Sequence, residues 1–144
     1  MKTIVVPLAL VLATLIGQAR AADTCPALPN NSDMEWGHQS EGPDFEVCYA
    51  TLKGSKTIVF GIYLGNFPSF DAKKGTSLGE GKIGGRSITW YRMSGTSNPA
   101  SLSRQALLML NEKEGYVAHV WVYANTTQEL ESRLSVLQHI TFNK

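Results

Sequence analysis

The sequence predicts an α+β fold: an antiparallel sheet of about five strands, a C-terminal helix packed on one face, and an N-terminal loop tethered by a disulfide. Three observations lead there. Period-2 alternation recurs from Phe45 to Ala124, a helical apolar stripe follows Thr126, and the two cysteines after the first 21 residues, Cys25 and Cys48, sit near the start of the chain.

The first 21 residues read as a secretory leader. Met1-Lys2-Thr3 is a short positive start, Ile4 to Gly17 is free of charge, and Ala19-Arg20-Ala21 has the small residues a signal peptidase reads. The apolar run is shorter than the roughly 20 residues of a membrane-spanning helix, so no membrane span is expected. No lipid anchor is expected either, because Cys25 lies three residues beyond the expected cut before Ala22. Residues 22–144 form one expected domain, periplasmic or secreted. Without Lys2 and Arg20 this domain carries 11 Lys and Arg against 12 Asp and Glu, a formal charge of −1. That balance offers no basic stripe for nucleic acid.

Export places Cys25 and Cys48 where disulfides persist, so the two are expected to be bonded. The segment between them, with Pro26, Pro29, Gly37, Gly42 and Pro43, reads as a turn-rich loop held by that bond.

Strands are expected over 45–51 and 57–64, joined through Lys53-Gly54-Ser55, then over 79–83 and 86–93 around Gly84-Gly85, a dipeptide suited to a tight hairpin. Gly65 to Lys74 and Ser94 to Ser101 read as loops. Ser103 to Leu110 favours helix by propensity at Ala106 to Leu110, but is taken as a strand pairing through Asn111 to Gly115 with 116–124, the stretch richest in β-branched and aromatic residues. Thr126 and Glu129 have capping-box spacing, and Leu130, Leu134 and Leu137 make the apolar stripe of the terminal helix.

Alternation then sorts the side chains. Ile58, Phe60, Ile62, Leu64, Ile88, Trp90, Val120 and Val122 point to the helix side, and Tyr63, Tyr91, His119, Trp121 and Tyr123 to the other. These five are the expected binding residues, since rings with an apolar body and a polar tip suit recognition. The plainer expectation is that the loop carrying Trp36 folds over them as a second small core.

Other motifs fail on context. Gly79-x-Gly81-x-x-Gly84 has dinucleotide-fingerprint spacing but is followed by a strand, and Gly75-Thr76-Ser77-Leu78-Gly79 has nucleophile-elbow spacing but follows a polar loop. His38, His119 and His139 show no metal-ligand spacing, so neither metal nor cofactor is expected. The expected function is an exported binding or inhibitory module acting on a protein or envelope partner. The alternatives are a small periplasmic enzyme using His38 or His119 with a nearby carboxylate, or a structural accessory of an envelope complex.

Overall fold

The computed structural model describes residues 24–93, 98 and 101–143. The expected leader lies outside them, as does most of the loop read from Ser94 to Ser101.

Among these residues seven strands and one α-helix follow in chain order, with a 3-10 turn over Ala72–Lys74: β1 (Met34–Glu41), β2 (Phe45–Leu52), β3 (Ile58–Gly65), β4 (Ser77–Ile83), β5 (Arg86–Arg92), β6 (Arg104–Asn111), β7 (Tyr116–Val122) and α1 (Thr127–Gln138). All seven strands join one antiparallel sheet in the order β1-β2-β3-β7-β6-β5-β4. The expected count of about five is therefore corrected to seven. Every alternating stretch becomes a strand, Ser103 to Leu110 included, and β1 is added where a tethered loop was expected. Met34-Glu-Trp-Gly-His-Gln-Ser-Glu holds no β-branched residue, so its local preference is weak. Pairing with β2 makes it a strand, with an irregularity between Trp36 and His38 that suits an edge position.

The disulfide joins Cys25 to Cys48 on β2. It ties the N-terminal segment to the sheet, and that segment is tied again to the C-terminus by an antiparallel bridge between Ala27 and Thr141.

Helix α1 begins with the expected capping box. The Glu129 N–H donates to Thr126 Oγ1 at 3.2 Å, while the Glu129 carboxylate accepts from the N–H groups of Asn125 and Thr126. Its last carbonyls are met from the β4–β5 turn, where the N–H groups of Gly84 and Gly85 donate to Leu137 and Gln138 at 2.9 and 3.0 Å. Both glycines have positive φ, 57° and 74°, as a tight hairpin requires. The hairpin thus closes β4 on β5 and supplies donors that the helix end lacks.

Leu130 and Leu137 enter one core with Phe60, Ile62, Leu64, Ile88, Trp90, Val120 and Val122. Ile58 departs from expectation: it is 38% exposed, because the β2–β3 register shifts between Ala50 and Thr51, and Val59 is buried instead. Trp36 also departs. It packs on this same core, edge-on to Phe60 at 5.7 Å, with its indole N–H donating to the Pro26 carbonyl at 2.8 Å. The expected cover of the aromatic face by a Trp36 loop is overturned, because pairing of Trp36 with Ala50 sends the indole to the helix side.

Candidate functional site

One register level crosses the whole sheet on the face away from the helix. Reading from edge to edge, His38, Tyr49, Gly61, Trp121, Gln105, Tyr91 and Ser77 are successive partners on the seven strands. Side chains of directly opposed residues share a face, so this row places four rings and an amide in line. Gly61 leaves room in the middle. A β-carbon there would collide with the six-membered ring and Nε1 of Trp121, which lies over the glycine and reaches Tyr49 edge-on at 5.9 Å. Tyr49 in turn stacks on His38 at 5.6 Å.

His119 lies on the same face of β7, two residues before Trp121, with its ring 5.5 Å from the indole. It is flanked across the ladders by Tyr63 and Leu107. Phe70, from the loop after β3, lies over it in a stacked arrangement at 5.4 Å and also meets Tyr91 at 5.5 Å. The loop expected to be surface thus provides the partial cover that Trp36 does not. In that loop Phe67 is 80% exposed while Phe70 is 9% exposed.

The protonation of His119 follows from its neighbours. Gln105 donates through Nε2 to the Arg92 carbonyl at 3.2 Å, which turns its Oε1 toward His119 Nε2 at 3.0 Å. An amide oxygen only accepts, so the imidazole carries its proton on Nε2 and Nδ1 is a bare acceptor. Burial pushes the ring's pKa from its ordinary 6.5 down to about 4, so it is neutral at physiological pH. Nδ1 has no hydrogen-bond partner among the described residues, where no buried side-chain nitrogen or oxygen goes unpartnered. Solvent therefore reaches Nδ1, although His119 as a whole is only 6% exposed.

The opening beside it is a cleft of about 330 Å³, within the usual size of a small-molecule site. Ser69, Phe70, Met93, Gln105, His119, Trp121 and Tyr123 line it. Of the five residues expected from the sequence, His119, Trp121 and Tyr123 meet here. Tyr91 stands behind Phe70, and Tyr63 is apart, stacked on Phe45 at 6.0 Å with its hydroxyl accepting from the Phe67 N–H at 3.1 Å. Sequence reasoning missed Phe70, Met93, Gln105 and Tyr49. Two phenylalanines in the short span Phe67-Pro68-Ser69-Phe70 were a usable signal, because a solvated loop rarely spends two rings.

The partner of His119 is an amide, and the described contacts of His38 are to Tyr49. The one grouping of potential metal ligands among the described residues, Cys25, Glu46 and Cys48, has both sulfurs in the disulfide, and the Glu46 carboxylate accepts from the Thr24 hydroxyl. No helix among the described residues is long and apolar enough to cross a membrane.

Compared with protein-family models, with curated proteins and with solved structures, the chain matches none.

Proposed function

We propose that this chain is an exported binding or inhibitory module of the periplasm, which receives a protein or envelope partner on the aromatic face of its sheet. The observation that carries the reading is the cleft at His119. Its rings are held in place from below, where the Trp121 indole fills the room left by Gly61 and Gln105 is anchored to the Arg92 carbonyl, yet Trp121 remains half-buried and Tyr123 is 41% exposed. Rings pre-set in this way lose little conformational freedom on binding and give large contact area, the usual properties of a hot spot. Export is supported by the charge, apolar run and Ala-x-Ala ending of residues 1–21.

The test recovers the native protein from its compartment with its companion, identifies the companion by mass spectrometry, and measures its affinity for purified variants. Trp121→Ala should weaken binding by about 2 kcal/mol or more while Tyr63→Phe, outside the cleft, leaves it unchanged. Unaltered affinity in a folded Trp121→Ala protein would remove this face from the interface.

A further inference from the structure

We infer that the cleft at His119 is a subsite for an uncharged sugar ring, with the bare Nδ1 of His119 accepting a ligand hydroxyl and Trp121 and Tyr123 carrying the ring's C–H face. This rests on the binding reading above and names the chemistry of its partner.

Charge narrows the ligand first. Among the described residues no Lys, Arg, Asp or Glu lines the cleft, and the sequence between Met93 and Arg104 contains none. A carboxylate, phosphate or ammonium group entering it would leave water without a counter-charge, which disfavours charged ligands. Hydrogen bonding narrows it again. His119 is more than nine-tenths buried, its Nε2 is committed to Gln105, and Nδ1 is the acceptor left for a guest. The guest must therefore bring a donor, and a hydroxyl is an uncharged group that both donates and accepts, which suits a lining that also holds the hydroxyl-bearing Ser69 and Tyr123.

The walls set the remaining requirement. Aromatic faces are electron-rich and attract polarised C–H edges, so the guest presents a C–H surface on one side and hydroxyls at its rim, as a pyranose does. The site also extends. From Trp121 the ring row continues to Tyr49 and His38, beside a second hollow of about 680 Å³ lined by His38, Ser40, Tyr49, Thr51 and Ser55, with Glu35 and Lys56 giving one charge of each sign. The rings follow one another at centroid spacings of 5.9 Å from Trp121 to Tyr49, across the ringless Gly61 on β3, and 5.6 Å from Tyr49 to His38, a row long enough to carry more than one sugar unit. An extended peptide suits this face less well. The sheet's own N–H and C=O groups are spent in the ladders, so a peptide backbone lying across it would lose water without finding partners.

The test titrates the exported protein with cellohexaose, maltohexaose and chitohexaose, and with hexagalacturonate and the chitosan hexamer as charged counterparts. Intrinsic fluorescence and the assigned indole N–H resonance of Trp121 report binding. At least one neutral hexamer should shift that resonance saturably, and its charged counterpart should bind at least tenfold more weakly. His119→Phe should weaken binding at least tenfold, Tyr123→Ala at least fivefold, and Trp36→Phe, on the opposite face, not at all. Tyr123 is exposed, so that variant keeps the test alive if His119→Phe does not fold. The inference is overturned if no neutral hexamer binds, if charged hexamers bind equally well, or if Tyr123→Ala binds like the parent. A mixed library of charged and uncharged fragments separates the two readings. Fragments or a protein companion that shift the Trp121 indole while sugars do not would sink the sugar inference and leave the binding reading standing. Silence from sugars, fragments and companion alike would end both.

Discussion

The indole of Trp121 lies across the backbone of Gly61, its direct partner on β3, in space that any β-carbon would occupy. That relationship sets the level of the whole ring row, since Tyr49 reaches Trp121 only over the glycine.

Gly61→Ala should therefore lift the indole. The cost is an overpacking cost, about 1–3 kcal/mol of stability, with a changed near-ultraviolet signal from Trp121 and weaker ligand binding. Chemical denaturation and circular dichroism read both effects. A Gly61→Ala protein with parental stability and spectrum would show that Trp121 has other places to go.

Stability should fall with pH in a window set by His119. In the unfolded chain the imidazole takes up a proton near pH 6.5, but in the fold only near 4. Between those values the unfolded state holds more protons, so stability decreases as pH falls through the window and is level above it. The full loss is roughly 3 kcal/mol. The groups facing the ring are Tyr63, Leu107, Gln105, Phe70 and Trp121, with no carboxylate and no second imidazole among them. His119→Phe should be less stable at pH 7, since Gln105 loses a partner, yet show a shallower decline from pH 7 to pH 4.5. Equal declines in both proteins would exclude the imidazole as the source.

The native protein should contain no free thiol, and reduction should destabilise it by roughly 3 kcal/mol, the scale expected for closing a loop with a sequence separation of 23. Reduction frees the N-terminal segment that pairs with Thr141, so the C-terminal tail should lose hydrogen-exchange protection together with it. Thiol titration under denaturing conditions and exchange mass spectrometry are the measurements. Two reactive thiols in the native protein would contradict the bond.

The helix should respond to its two supports by different amounts. Thr126→Ala removes the capping hydroxyl and should cost about 1 kcal/mol, while Leu137→Ala empties a fully buried site and should cost about 2–5 kcal/mol. Denaturant midpoints at constant slope would rank them, and a cap costing as much as the leucine would mean that α1 is held at its start and not by its stripe.

The exported form should begin at Ala22, which intact mass will show; a folded product that retains residues 1–21 would exclude cleavage there.

What the sequence determined by itself was whatever depends on near neighbours. Alternation placed β2 to β7 and sorted Phe60, Ile62, Val120 and Val122 from Tyr63, His119 and Trp121, because a strand's side-chain period is a local property. Thr126 and Glu129 announced the helix start for the same reason, and a chain with two cysteines leaves one intramolecular pairing. Tertiary structure decided the rest. β1 is a strand only because β2 offers its ladder, and Trp36 turned to the core because of the register that ladder imposed. The cleft is likewise a product of distant pairings: β7 enters between β3 and β6, which brings Gly61 under Trp121 and Gln105 to His119, while Phe70 arrives from a loop with no period to read. Beyond the hairpins, strand order and register are fixed by long-range hydrogen bonding and burial, whose partners lie far apart in the chain, so no local pattern encodes them.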